Sequence, residues 1–180
     1  MELSATARVI LGMLAVAPRS GYDIKQLVDK TTRFFWAASY GQIYPELKRL
    51  TERGLVAPAE KPAGPRGRAV HRITPDGREA LATWLREPGQ THELRDEGLL
   101  KVFFVGVLES DEAIAVLEAK REQHREVLAR LREVEPHAKA TERFGPAAVL
   151  GYGLGLNEFA IGWCERTIAE LKHEKETDDA

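Results

Sequence analysis

The sequence predicts a mainly α protein with one small β-hairpin: a winged helix-turn-helix over residues 1–88, then an all-helical domain over 89–180. Three observations carry this. Capped runs with helical apolar periodicity recur up to Pro88. A Pro- and Gly-rich turn between two short extended runs follows the third of them. Beyond the break Pro88-Gly89-Gln90-Thr91, every periodic run is helical.

Ser4 caps a first helix, with Val9, Ile10, Met13 and Leu14 at helical spacing and Pro18 as its stop. Ser20 opens a second helix. Asp23 stands in the capping-box position, and Tyr22, Ile24, Leu27 and Val28 supply the apolar face. The connector TTRFFWAA holds Phe34, Phe35 and Trp36 in succession, too apolar for a free loop, and is expected to pack under the domain. Ser39 and Gln42 form an S-x-x-Q capping box for a third helix, with Ile43, Leu47 and Leu50 as its buried stripe and Gly54 as its end. Pro45 lacks an amide proton and crowds the Gly41 carbonyl, so an irregular first turn is expected. Residues 55–60 and 69–74 read as hairpin strands around KPAGPRGR. Thr74 caps a fourth helix with Pro75 at its first position and Ala80, Leu81, Trp84 and Leu85 as its apolar face.

In the second half, a fifth helix is expected over 92–108. Ser110 is expected to cap a sixth, with Asp111 and Glu112 in its first turn and Leu117, Leu128, Leu131 and Val134 on its apolar side. Pro146 opens a last helix to about His173. It is apolar on most faces from Ala147 to Trp163, which implies cover from a second copy, with Leu156, Phe159 and Trp163 at a dimer interface. The glycines of GYGLG (151–155) suit close helix contact or a bend. No strand precedes them, and they lack the spacing of a dinucleotide loop.

Composition excludes several classes. With 43% hydrophobic and 30% charged residues, the 180-residue chain can build a core. No apolar run approaches the ~20 residues of a membrane span. Glu2 and a lone Arg8 make a poor signal-peptide start, and the single cysteine, Cys164, forms no internal disulfide, so a cytoplasmic location is expected. Beside Trp163 on an apolar helix, Cys164 reads as inert core. The five histidines do not cluster and no metal motif occurs, so neither metal nor other cofactor is expected, and no catalytic constellation is recognisable. Charge is divided: residues 1–88 carry 14 Lys and Arg against 9 Asp and Glu, and residues 89–180 carry 12 against 19. A basic first half on an acidic second half is compatible with nucleic acid at one end only.

Three helices, a hairpin and a helix make the order of a winged helix-turn-helix, whose recognition helix enters the major groove of DNA. That helix is the one beginning at Ser39. Its outer side shows Gln42 and Lys48, and the hairpin tip adds Arg66 and Arg68, suited to phosphate or the minor groove. Gln42 has two readings, a base contact or only the capping box. His71, in the second wing strand, reads as structural.

SGYDIKQL, RFFWAASYGQIYPELKRLTERGLV, the wing GPRGRAVHRITPDGREALATWL and the final NEFAIGWCERTIAEL together resemble the PadR family of bacterial transcriptional regulators, above all in Tyr44-Pro45 after Gly41-Gln42-Ile43. The resemblance covers nearly the whole chain, strongly over 20–87 and more loosely over 92–172. It implies a sequence-specific, homodimeric DNA-binding regulator on an inverted-repeat operator, often a repressor relieved by a small effector. It places Tyr22, Tyr40 and Tyr44 at or near the DNA face, with phosphate contact expected of Tyr22 and Tyr40 and a core position with the hydroxyl reaching out as the other reading; Lys25 and Ser39 are further candidates for DNA contact. The alternative is a winged helix used only for protein–protein contact, without salt-dependent DNA affinity. Phe103, Phe104 and His124 are candidates for the pocket of a small aromatic effector, set beside the polar stretch Lys120–Glu126, which reads equally as a solvated face.

Overall fold

Side-chain caps set the helix starts in the first half of the chain. In the computed structural model, Ser4 Oγ accepts from the Ala7 amide at 3.0 Å and begins α1, Ala5–Val16. Ser20 and Asp23 exchange bonds of 3.2 Å, amide to side chain in both directions, and open α2, Gly21–Lys30. Gln42 Oε1 accepts from the Ser39 amide at 2.9 Å as α3 begins, Tyr40–Glu52. Thr74 Oγ1 accepts from the Gly77 amide at 3.0 Å ahead of α4, Pro75–Arg86. Each cap occupies a donor that helix geometry leaves without an internal partner.

The structure describes residues 3–59, 68–89, 95–140 and 143–178. It divides into two compact units, Met1–Thr91 and His92–Ala180.

In the first unit α3 closes on Gly54, whose φ of +71° lies in the left-handed region. Its amide donates to Thr51 O at 3.0 Å and the Leu55 amide to Leu50 O at 2.9 Å, which ends the helix and turns the chain into the wing. β2 (Val56–Pro58) pairs antiparallel with β3 (Val70–Ile73), Val56 opposite Ile73 and Pro58 opposite His71. A third strand joins the other edge: β1, Arg19–Ser20, puts Arg19 opposite His71 and Ser20 opposite Val70. Those two residues read locally as the approach to a helix cap, and only a distant partner makes them a strand. Ile10, Leu11 and Leu14 of α1, Ile24 and Val28 of α2, and Ile43 and Leu50 of α3 are fully buried in one core.

Three expectations for this unit need correction. Phe34, Phe35 and Trp36 are exposed, and of residues 31–39 only Ala38 is buried. The connector makes a single 3-10 turn over Thr32–Phe34, and the Phe35 and Trp36 amides bond back to Thr32 O, so the three aromatics sit on a tight surface turn rather than on one face that a core could cover. Leu85 is exposed, leaving Leu81, with Ala80 and Trp84 half-buried, as the packing face of α4. α3 runs unbroken through Pro45: the Gly41 carbonyl that loses its amide partner belongs to an exposed residue on the outer side.

In the second unit, Asp96 caps α5, Glu97–Phe103, by accepting from the Leu99 amide at 3.0 Å. This helix is shorter than expected. Residues 90–94 lie outside the described residues, and at Gly106 the chain is in a 3-10 turn, Val105–Val107. α6 spans Ser110–Ala140 and α7 Phe144–Asp178, with Pro146 in the first turn where no amide is needed. Glu109 rather than Ser110 holds the cap position of α6, its carbonyl accepting from Ala113 and its amide donating to Glu112. The two helices pack antiparallel, as Lys175–Asp111 (2.7 Å), Arg125–Glu165 (2.9 Å) and Arg132–Glu158 (3.1 Å) show. Ile114, Leu117 and Ile168 centre their core with Val102, Trp163 and Leu171 around them. Of the three glycines in GYGLG only Gly153 lies close to α6, where a Cβ would come 3.1 Å from Leu131 Cδ1. No helix among the described residues is long and apolar enough to cross a membrane.

Candidate nucleic-acid interface

The first turns of α2 and α3 bring three tyrosines into a column. Tyr40 and Tyr44 are four residues apart and share one face of α3. Their ring centroids are 6.2 Å apart with planes 21° from parallel. Tyr22, the second residue of α2, stacks on Tyr40 at 6.2 Å and 22°. All three rings are partly exposed. The column ends on Gly21: a Cβ there would lie 2.7 Å from Tyr44 Cε1, so the ring packs against a position that must lack a side chain.

Cations border the column. The Arg68 guanidinium lies over the Tyr22 ring, Cζ 3.9 Å from its centroid. Lys25 Nζ is 5.5 Å from the Tyr40 centroid and also pairs with Asp29. Gln26 Nε2 reaches the Tyr40 hydroxyl at 3.5 Å. A cation over a ring is held by the ring's negative face. Here two are held beside phenol edges, which suits an anionic, flat-sided partner.

Ser39 and Gln42 stand at the exposed start of α3. Gln42 Oε1 is engaged by the Ser39 amide and, at 3.2 Å, by its hydroxyl. The capping reading is therefore realised, and it turns the Gln42 carbonyl inward while leaving its NH2 as the group to donate elsewhere. Lys48 is well exposed on the same helix, with Glu52 3.8 Å away. Arg66 lies outside the described residues. His71 sits half-buried in the central strand, and burial lowers its pKa from the ordinary 6.5.

Sequence reasoning missed the column, because stacking across two helices and a wing is a tertiary property; the four-residue spacing of Tyr40 and Tyr44 was its one visible sign. It also missed Glu46, buried in α3 with Arg49 Nη1 3.2 Å from its carboxylate.

In the second unit the candidate effector residues do not converge within one chain. Phe103 and Phe104 pack edge to face at 5.0 Å, and Phe103 is 80% exposed. α5 lies along α6 with Asp96 at Lys120 and Val102 at Ile114 and Leu117, so the phenyl pair and His124 are at opposite ends of that contact. His124 Nδ1 is 2.9 Å from Oδ1 of the buried Asn157, whose Nδ2 donates to Gly153 O at 2.8 Å. With the amide so oriented, His124 Nδ1 carries the proton and Nε2 faces elsewhere. Lys120 is 6% exposed, and its Nζ lies 2.9 Å from Asp96, so the stretch Lys120–Glu126 is not wholly a solvated face. The Lys120 hydrogen bond, opposed by burial and aided by the first amides of α5, lowers the Asp96 pKa. Of the candidate interface residues, Leu156 and Phe159 are exposed, whereas Trp163 packs half-buried into the core of its own unit.

Comparison with known proteins agrees with both halves. Residues 10–83 match the family model described as the transcriptional regulator PadR-like family, and residues 94–172 match that of the virulence activator alpha C-terminal region. The negative transcriptional regulator PadR of Bacillus subtilis is 29% identical over 172 residues, 90% of this chain and 94% of its own. The crystal structure of that PadR in complex with operator DNA superposes with a TM-score of 0.83 at 27% identity, covering 95% of this chain and 99% of the other. Its complex with p-coumaric acid superposes with a TM-score of 0.80 at 26% identity, with 95% and 99% covered. With a winged helix-turn-helix in its first unit, helices in its second, and a family model matching each, the chain is similar over nearly its whole length to PadR-like transcriptional regulators.

Proposed function

We propose that this regulator binds double-stranded DNA through the face built by Tyr22, Tyr40, Tyr44 and Arg68, with α3 as the recognition helix. The observation that carries the reading is the tyrosine column at the start of α3, bordered by Arg68 and Lys25. Helix starts of this kind meet base edges in the major groove, while flanking cations and hydroxyls hold phosphate. In this assignment Tyr22, Tyr40, Lys25 and Arg68 take the backbone, with Arg66 as a further wing cation. Gln42 NH2, Ser39, Tyr44 and Lys48 face the groove. Residues 1–88 act as the DNA-binding part and 89–180 as the part that joins two copies and receives an effector. The buried, low-reactivity Cys164 accords with a cytoplasmic protein.

The dimer reading rests on α7, where Val149, Tyr152, Leu156 and Phe159 leave a strip of exposed apolar side chains on one face. Such a strip on a single chain is the mark of an interface. Repression and relief by a small aromatic acid are carried over from the relative named a negative regulator and seen with p-coumaric acid. An effector that favours one spacing of the two recognition helices about 100-fold supplies about 2.7 kcal/mol of coupling. Selection of bound duplexes from a random pool is the test. An inverted repeat with half-sites about 34 Å apart supports the dimeric regulator, and a pool that stays random refutes it. Titration of the enriched duplex with p-coumaric acid and related phenols then tests relief.

A further inference from the structure

The wing sets a cation on a ring at the start of α2. β1 and β3 pair Arg19 with His71 and Ser20 with Val70. This pairing holds the start of β3 beside the start of α2, and the Arg68 guanidinium lies over the Tyr22 ring at 3.9 Å. At that distance the guanidinium is in contact with the face of the ring. No carboxylate meets Arg68 among the described residues. Tyr22 in turn stacks on Tyr40, and Tyr40 on Tyr44, so one continuous column joins the wing to the recognition helix.

We propose that Arg68 is a positioning residue: by stacking on Tyr22 it fixes the wing against α2 and α3 before DNA arrives, so that wing and recognition helix engage one duplex as a single surface. This rests on the DNA-face reading above. It differs from a plain phosphate contact, which needs only the charge. Pre-ordering a loop removes part of the cost of binding, and a stacked cation of this kind is worth up to about tenfold or more in an equilibrium.

The two roles separate in a coupled experiment on the full chain. In the free protein the Arg68 side-chain N–H protons should be shifted upfield by the ring current of Tyr22. Tyr22→Phe should keep the shift, and Tyr22→Leu should abolish it. Affinity for the duplex enriched by the wild type is then measured across a salt series. Tyr22→Leu should bind about tenfold more weakly than Tyr22→Phe at every salt concentration, without a change of slope. Arg68→Ala should also weaken binding, with the slope falling by about 0.9. Tyr22→Phe keeps the ring and loses only the hydroxyl assigned to phosphate, so the loss of Tyr22→Leu relative to Tyr22→Phe should be about tenfold with Arg68 present and small in Arg68→Ala. Thermal unfolding confirms that each variant is folded, and Tyr22→Phe serves as the control that keeps the stack. The same loss from Tyr22→Leu relative to Tyr22→Phe with and without Arg68, or equal affinity of Tyr22→Leu and Tyr22→Phe once the shift is gone, overturns the positioning role while leaving DNA binding standing. If the wild type enriches no duplex, the DNA reading fails and takes the role with it, and the ring-current shift still reports the stack.

Discussion

Tyr44 keeps its place because residue 21 has no side chain. In Gly21→Ala the new methyl would meet Tyr44 Cε1 at 2.7 Å and Leu47 Cδ1 at 3.1 Å, so the ring must swing away from the column. Overpacking of this sort costs about 1–3 kcal/mol. Urea denaturation should show that loss, and a duplex-binding assay should show weaker affinity beyond it. His71 makes a second prediction. Burial in the central strand lowers its pKa below 6.5. The unfolded chain therefore takes up the proton more readily than the folded one. Stability from this group is whole above pH 6.5 and declines as the pH falls below it. His71→Gln should flatten the pH dependence of Tm between pH 6.5 and 5; an unchanged slope would locate the acid sensitivity elsewhere.

At the scale of elements, local chemistry made most of the fold legible. Ser4, Ser20, Ser39 and Thr74 announce four helices, and the side chain or box expected at each is present. Gly54 announces the end of α3, and it is required there: a side chain in the left-handed region costs about 1–2 kcal/mol. Gly54→Ala should lose about that much in chemical denaturation, with Gly54→Asn losing less. What was not legible depends on distant partners. Arg19–Ser20 becomes a strand only through β3, and the buried Lys120 is tolerable only because Asp96 meets it. Apolar content alone misled at Phe34–Trp36, where a turn too short to bury its side chains leaves them exposed. Of the candidate DNA residues, Tyr40, Gln42 and Lys48 could be placed from helix phase. The stack of Arg68 on Tyr22 could not, since it needs the register between β1 and β3.

For the whole molecule, the exposed strip on α7 predicts self-association. Leu156→Glu together with Phe159→Glu would put two carboxylates on that strip without touching the core of the unit, and Phe159 is already 65% exposed. Sedimentation should then show a monomer where the wild type is a dimer. Operator affinity should fall by about 100-fold or more, as two half-sites are no longer read together. A wild type that sediments as a monomer at micromolar concentration would refute the dimer. Cys164 has a consequence of another kind. The chain's lone sulfhydryl is 0% exposed, and burial raises its pKa, so it stays protonated and out of reach of electrophiles. Mild peroxide should leave DNA binding unchanged, which makes this regulator deaf to oxidant stress. The same shielding gives a clean background for spectroscopy: a maleimide dye should ignore the native chain yet label Leu85→Cys stoichiometrically, so probe pairs between two copies could follow their spacing as an effector is added.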